Sequence, residues 1–484
     1  MIYRKQILKI SVIILICYVI LIGLFYVLAG DQLHYRDSRG NIEMLPAESG
    51  TVELVKGTMV EQAFTAHIQR LESVSVQWGT YYRPNAGTVT MDLLDASTGN
   101  ILLSGQFDVA TIAEGGLTTL TAETPIETAY GVPLLLRLTA NSQSGSAASP
   151  LMTATLTDNF TTQTQQTAQL ILNGTPTAGA LCFSVSGEDY IWTGLHYWEF
   201  AVAGAGVIFV LPFVFWKRCK AGKRSYLLNA FYAMKKYRFL IQQLVSRDFK
   251  TKYKRSILGI FWSFLNPLLM MIVQYFVFST IFSADIPNYP SYLLVGVVCF
   301  NFFTEACGMS LTSVLGNASL ITKVYVPKYV YPLTRVLSSV INLGISLIPL
   351  ILVCLFTGVQ FQKSAILAFF FLFCLVVFSY GLSLLLSAAM VFFRDMQFLW
   401  NVLSMIWMYA TPIFYPENIL PENFRFVLTI NPLYHFIQNT RLCILDGISP
   451  EPTAYLQCML MALGMLLVGS LIFRKSQDRF ILYL

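Results

Sequence analysis

Charge is scarce in this chain. Only 12% of its 484 residues are Asp, Glu, Lys or Arg, and 55% are hydrophobic. A soluble globular domain carries roughly 25% charged residues, so that class is excluded and a polytopic membrane protein is left. Histidine is scarcer still, with 4 residues, and the 9 cysteines show no metal-ligand spacing. Between residues 31 and 195 there is only Cys182, which excludes an internal disulfide there. Cys17, Cys299, Cys307, Cys354, Cys374, Cys443 and Cys458 fall in or near apolar runs, where a thiol is a packing group. No G-x-x-x-x-G-K-[ST] occurs, so the chain has no phosphate-cradling loop of that kind.

Long apolar runs are what the sequence has instead. A hydrocarbon core of about 30 Å takes about 20 apolar residues as a helix. Eight stretches approach that length: Leu8–Ala29, Tyr197–Trp216, Ile260–Phe282, Tyr292–Leu315, Leu333–Phe356, Ala365–Phe393, Phe398–Phe414 and Ala454–Phe473. The first is longer than a usual signal-peptide core and lacks a clear small-x-small cleavage site, so it is expected to stay as an anchor. Flanking charge orients the runs. Residues 31–195 hold six basic and sixteen acidic residues, whereas Lys217–Arg255 holds thirteen basic residues and one acid, Asp248. Arg4, Lys5 and Lys9 precede the first run, and Arg474, Lys475 and Arg479 follow the last. Both termini and the basic stretch are therefore expected in the cytoplasm, with residues 31–195 outside it.

That outer segment reads as β-rich. "SVSVQW", "GTVTMDLLD" and "VPLLLRLTA" are short β-type runs, separated by turn signals such as Arg83-Pro84-Asn85-Ala86-Gly87. A sandwich or jelly roll follows. Trp78, Tyr81 and Tyr82, if exposed, are candidates for stacking on sugar rings; filling the sandwich core is the plainer use of the same residues. The fold expected is a mostly α-helical polytopic membrane protein of about eight transmembrane helices, two plus six, with an inserted extracytoplasmic β-sandwich or jelly-roll domain. Its parts are a first anchor at 1–30, the β domain at 31–195, a second span at 196–217, a basic linker and amphipathic helix at 218–256, and a six-span region at 257–484.

The stretch "LVSRDFKTKYKRSILGIFWSFLNPLL" sets a basic stripe directly against a greasy run. From Leu227 to Tyr253, Tyr237, Leu240, Ile241, Leu244, Val245 and Phe249 recur at helical spacing among Lys235, Lys236, Arg238, Arg247, Lys250 and Lys254. One apolar face and one cationic face describe a helix lying in the membrane interface. The chain then turns at Ser256–Gly259 into an upright span.

"RDFKTKYKRSILGIFWSFLNPL" resembles the start of permease subunits of type-2 ABC exporters, in the branch that exports O-antigen, teichoic acid and capsule-like polysaccharides. The resemblance is carried by Arg247, Asp248, Lys250, Lys252, Tyr253, Lys254, Ser256, Leu258, Gly259, Trp262, Pro267 and Leu268. "NASLITKVYVPKYVYPL", "FFRDM", "TPIFY" and "NPLYHFIQNTR" follow in the family's order, so the likeness covers about residues 230–484. The first two runs and the β segment depart from the six-span pattern, as an extra N-terminal module would.

The resemblance implies a homodimer working with two copies of a separate ABC ATPase. ATP and Mg bind that partner; this chain has no cofactor and no catalytic or metal residues. Asn317 to Tyr331 would hold the coupling helix that docks on the ATPase. Leu320, Ile321, Val324 and Tyr325 are then its apolar knobs, Lys323 and Lys328 its rim charges, and Pro327 its fixed exit. Arg247, Asp248, Lys250, Lys252, Tyr253 and Lys254 belong to the interfacial helix. Glu305 is the one acid deep in a run, where ionisable residues face a bundle interior or a polar path. With the aromatic residues Trp262, Tyr275, Phe302, Phe303, Trp407 and Tyr409 it is a candidate for the substrate path. The cargo implied is a lipid-linked glycan crossing a bacterial cytoplasmic membrane, with no nucleic-acid partner.

Two alternatives stay open at this point. One is a drug or small-lipid exporter of the same superfamily. The other is a membrane glycosyltransferase or ligase with a catalytic outer domain, for which Asp92, Asp95 and Glu188 are available but form no convincing pair. The charge pattern makes a direct prediction. Lys250→Cys should resist a membrane-impermeant maleimide in intact cells and react after permeabilisation; labelling in intact cells would invert the topology.

Overall fold

In the computed structural model, residues 2–128, 130–154, 169–220, 234–253, 258–259, 261–282, 286–323, 326–421, 423 and 425–483 are described. The chain divides into two compact units, Met1–Leu33 with His196–Leu484, and His34–Leu195.

The His34–Leu195 unit is built on alternation. In strand Arg70–Gly79, Leu71, Val74, Val76 and Trp78 are buried, while Ser73, Ser75 and Gln77 lie between them half-buried. Side chains of successive residues leave a strand on opposite faces, so this pattern places one face on a core. The strand lies between Phe183–Tyr190 and Leu117–Glu127, antiparallel to both, and pairs Trp78 with Pro150 of a further strand, Ser149–Thr153. On its other face Ser73 and Ser186 meet at 2.7 Å, and Ser75 and Thr119 at 2.9 Å, as cross-strand polar pairs. The second sheet carries Gln169–Leu172, Met59–Ala66, Val132–Ala140, Thr88–Asp95 and Ile101–Asp108 in that spatial order. Val60, Phe64, Met91, Leu136 and Leu138 from this sheet share one buried cluster with Val74, Val76, Trp78 and Phe183 from the first. The unit is a two-sheet antiparallel sandwich.

Trp78 corrects the sequence reading. It has no exposed surface, and its indole N–H donates to Thr118 Oγ1 at 2.7 Å. A buried indole finds a partner for its one donor, and here the adjacent strand supplies it. It is a core residue rather than a glycan contact.

In the other unit, α1 (Ile2–Ala29) and α2 (Tyr197–Lys220) pack together. Tyr18 Oη donates to Ala201 O at 3.0 Å, and Tyr197 Oη to Ile22 O at 2.8 Å. After them come α3 (Arg238–Tyr253), α4 (Phe261–Phe282), α5 (Tyr289–Leu311), α6 (Ala318–Lys323) and α7 (Val330–Phe356). The chain ends with α8 (Ala368–Phe392), α9 (Met396–Tyr409), α10 (Arg425–Ile430), α11 (Pro432–Arg441) and α12 (Pro452–Ser476).

Among the described residues, six helical stretches are long and apolar enough to cross a membrane: Val12–Leu33, Phe261–Ser279, Tyr289–Leu311, Val330–Phe356, Lys363–Phe392 and Pro452–Phe480. The expected run Tyr197–Trp216 lies within the helix α2, whose described apolar part is Tyr197–Val210. One of the eight expected runs differs. The run Phe398–Phe414 forms α9, whose 14 residues span only about 21 Å at 1.5 Å per residue. It stops ahead of Thr411-Pro412, since the residue before proline is disfavoured in a helix. The helices α8 and α12 cross in backbone contact. A β-carbon on Gly469 would sit 1.9 Å from Gly381 O, and one on Gly381 would sit 2.5 Å from the Leu466 amide nitrogen. Small residues permit such an approach between spans.

Trp78→Ala is expected to destabilise the sandwich by about 3–5 kcal/mol. Tyr82→Ala, at a residue 90% exposed, should stay within about 0.5 kcal/mol. Hydrogen exchange of the Arg70–Gly79 amides in the full-length protein reads both.

Candidate functional site

The basic helix α3 turns Leu244 and Asp248 inward, while Lys235, Lys236, Arg238, Arg247 and Lys250 are exposed. The buried carboxylate of Asp248 sits between two guanidinium groups: Arg247 at 3.0 Å on its own helix and Arg335 at 3.2 Å on α7. Arg247 also donates to Asn317 Oδ1 at 3.3 Å, at the entry to α6, and Asn317 Nδ2 donates to Ser313 O at 2.8 Å. One cluster thus joins α3, α7 and the lead into α6. Arg335 went unremarked in the sequence reading. Its signal was there, as a basic residue inside the expected run Leu333–Phe356.

One turn beyond Asp248, Lys252 Nζ meets Glu305 Oε2 at 2.8 Å. Glu305 Oε1 accepts from Asn342 Nδ2 at 2.5 Å and from Ser339 Oγ at 3.3 Å. These groups line a cavity of about 170 Å³ with Trp262, Ser263, Asn266, Asn301, Phe302 and Ser346, contributed by α4, α5 and α7. Ser346 Oγ donates to Ser263 O at 3.1 Å, which fixes α4 against α7. A chamber lined by amides, hydroxyls and one ion pair between apolar helices offers many weak hydrogen-bonding positions and no nucleophile–base pair. The expected path residues Trp262, Phe302 and Glu305 gather here; Asn266, Asn301, Ser339 and Asn342 join them without having been singled out.

The other expected path aromatics lie elsewhere. Phe303 is fully buried, with its ring 5.1 Å from Trp407 and 5.7 Å from Trp400. Trp407 Nε1 donates to Asn431 Oδ1 at 2.8 Å. Both are packing residues between α5 and α9, because five-to-six-ångström edge contacts among rings fill a core. Tyr275 packs partly buried, 6.1 Å from Tyr289. Tyr409 is exposed, its ring 5.9 Å from Phe414.

In the expected coupling segment, Ser319, Thr322 and Lys323 are exposed and Leu320 is half-buried. Ile321 packs against the cluster of Val314, Leu384, Val391, Phe473 and Phe480, so it anchors α6. Lys328 donates to Gln477 O at 2.5 Å, with Nζ 5.6 Å from the centre of the Phe480 ring. Burial lowers its pKa, and Asp478 acts the other way. Lys328 is therefore a tie to the C-terminal turn rather than a rim charge. Pro327 is half-buried, its carbonyl accepting from Val330 N at 3.0 Å. Val324, Tyr325 and Lys254 lie outside the described residues, as does the side chain of Tyr253.

Beyond α9 the backbone is irregular and its polar groups are met by side chains. Arg441 donates to Pro412 O at 2.7 Å, Ile413 O at 2.8 Å and Tyr292 O at 3.2 Å, and stacks on the Tyr292 ring at 3.5 Å. Tyr289 Oη donates to Phe414 O at 2.7 Å, Tyr292 Oη to Tyr415 O at 3.0 Å, and Asn431 Nδ2 to Thr411 Oγ1 at 2.8 Å.

In the sandwich, Asp92 accepts from Ser104 at 2.5 Å, Asp95 caps its own turn through Ser97 N at 2.8 Å, and Glu188 pairs with Arg70 at 2.8 Å. Each carboxylate has a local structural partner. Tyr81 and Tyr82 are exposed.

The profile described as ABC-2 type transporter matches residues 239–445, a stretch that holds both ion-pair clusters, the cavity and Arg441. The O-antigen export system permease protein RfbA of Klebsiella pneumoniae is 32% identical over 245 residues, which is 50% of this chain and 93% of that relative. A protein of the same name from Myxococcus xanthus is 30% identical over 247 residues, 50% of this chain and 95% of the relative. The polysialic acid transport protein KpsM of Escherichia coli is 22% identical over 241 residues, 49% of this chain and 93% of the relative. The chain belongs to the ABC-2 type transporter permeases.

Proposed function

We propose that this chain is the membrane subunit of an ATP-driven exporter that carries a lipid-linked polysaccharide out across the cytoplasmic membrane. The observation that carries the reading is the likeness, at 30% identity or more over nearly their whole length, to two permeases named for O-antigen export. The lack of a phosphate-cradling motif in this sequence fits a division of labour in which a separate ATPase chain binds ATP and Mg. Two copies of this chain with two ATPase copies would form the working assembly, with the substrate path between permease copies. The charge asymmetry supports cytoplasmic termini and an external 31–195 domain.

In this reading α6 receives the ATPase stroke. Asn317 at its entry contacts Arg247, which shares Asp248 with Arg335, and one turn along α3 lies the Lys252–Glu305 pair at the polar cavity. A displacement of α6 therefore has a short, contiguous route to α3 and the cavity. The cavity's amides and hydroxyls suit sugar hydroxyls without demanding one stereochemical pattern, which fits a polymer that has to slide.

Export from proteoliposomes that also contain the ATPase tests the reading; nucleotide-dependent accumulation of the glycan is expected, and its absence with an active ATPase would overturn it. Glu305→Gln, which leaves Lys252 without its carboxylate, should lower export by about tenfold, and the exchange Lys252→Glu with Glu305→Lys should recover part of it. Leu320→Asp with Lys323→Glu should uncouple hydrolysis from export while the permease still inserts. These positions give a cleaner test than Ile321, whose replacement by Asp would also disturb the cluster around Phe480.

A further inference from the structure

Residues Thr80 to Arg83 make a tight turn in the sandwich. Arg83 N donates to Thr80 O at 3.3 Å, and the two central residues, Tyr81 and Tyr82, have φ of 56° and 53°. Positive φ at both central positions is the type I′ arrangement, for which Asn-Gly is the ordinary choice. A β-carbon crowds the following carbonyl there, so two adjacent tyrosines are a strained occupancy.

The surroundings hold the strain in place. Glu114 Oε2 accepts from Thr80 N at 2.6 Å, Thr80 Oγ1 at 2.7 Å and Tyr82 N at 3.3 Å. These bonds, the Thr80 hydroxyl first, keep the Glu114 carboxyl below its ordinary pKa. Asn85 Nδ2 donates to Thr80 O at 3.0 Å. Arg83 pairs with Glu53, donates to Ala147 O at 3.3 Å and lies over the Tyr81 ring at 4.8 Å. None of these bonds involves the Tyr82 ring, which is 90% exposed. Strain that its surroundings enforce is concentrated where a protein contacts a ligand. This turn presents the Tyr82 ring to solvent.

We propose that the Tyr81–Tyr82 turn is a contact site for the sugar rings of a glycan, with Tyr82 as the stacking surface. The proposal rests on the export reading above. A pyranose carries apolar C–H groups on one face and hydroxyls around its rim. A tyrosine ring meets the first, and the phenol groups and the exposed Glu114 carboxylate meet the second. The exposed neighbours Gly50, Pro84 and Glu114 do not form the broad apolar patch that a protein partner would need.

The test uses the full-length protein in lipid nanodiscs, with polysaccharide released by mild acid from the host's own surface as the probe and dextran as the control. By calorimetry, Tyr82→Ala should weaken binding by about tenfold and Tyr82→Phe by no more than about twofold. Tyr81→Asn with Tyr82→Gly should abolish binding yet leave the sandwich at least as protected from hydrogen exchange, because that pair suits the turn. Binding by this double variant equal to wild type, or no binding of host polysaccharide by wild type, would overturn the site. Export measured with the same proteins separates the two readings. Wild-type export alongside either of those results removes the turn and leaves the exporter, whereas no wild-type export with an active ATPase removes the exporter.

Discussion

A carboxylate carried in among apolar helices needs partners, and two described acids of the permease unit, the buried Asp248 and the half-buried Glu305, order the helices around them. Asp248 is held by Arg247 and Arg335, and Glu305 by Lys252, Asn342 and Ser339. For the buried Asp248, removing a partner costs far more than the intact pair contributes, because the remaining charge is left desolvated. Such pairs therefore specify which helices meet more than they stabilise the fold. Here they fix α3 against α7 at one point and against α5 at another, one helical turn apart. The pairs also differ in kind. Asp248 is held by planar guanidinium forks, which suit a fixed joint. Glu305 is met by an ammonium on a flexible stem, which can part and re-form with less geometric penalty.

The same rule, applied to backbone instead of charge, governs the far end of the bundle. Irregular chain at membrane depth is tolerated only where its carbonyls and amides find partners inside the protein. The stretch after α9 meets this condition with side chains drawn from two helices: Tyr289 and Tyr292 of α5, and Arg441 of α11 with Asn431 at its start. Arg441 is buried with no carboxylate among its named partners; carbonyl dipoles and the Tyr292 ring take that role. An arginine in this position fixes three carbonyls at once, which a lysine's point charge would not do with the same directionality.

Apolar run length and charge asymmetry made most of the helices readable, because both are sums over many residues. Alternation in 70–79 and 88–95 made the sandwich readable for the same reason. Single residues were harder. Trp78 reads identically as a surface platform or a core filler until its strand's phase relative to Thr118 is known. Phe303 and Trp407 are indistinguishable in sequence from path-lining rings, since the helical face that looks at a cavity rather than at α9 is set by tertiary packing. Ile321 and Lys328 were assigned outward because a short loop gives no periodicity from which to read a buried side. Glu305 was found because an acid in a long apolar run is rare. Arg335 was not, because it stands two residues inside a run whose boundary is drawn by hydropathy, where a basic residue passes for a flank. The strain at Tyr81 and Tyr82 is invisible in sequence: the Asn-Gly signal for a type I′ turn is absent, and the bonds to Glu114 that enforce it span more than thirty residues.

The N-terminal helix is part of the bundle rather than a tether to it. Ala29 and Leu33 belong to the buried cluster that includes Phe303, Phe371 and Phe436. Phe25 meets the Tyr455 ring edge-on at 4.9 Å, and Gln32 Oε1 accepts from Ser449 N at 2.6 Å, satisfying an amide just ahead of α12. A generic anchor would need only hydropathy, and any apolar run of the right length could replace it. This helix instead supplies matched shape and a hydrogen bond to an otherwise open backbone donor, so its replacement would leave a cavity beside Tyr455 and an unpartnered Ser449 amide. This helix is thereby built into the packing of the helical unit itself, and its sequence is constrained by that packing as well as by its hydropathy.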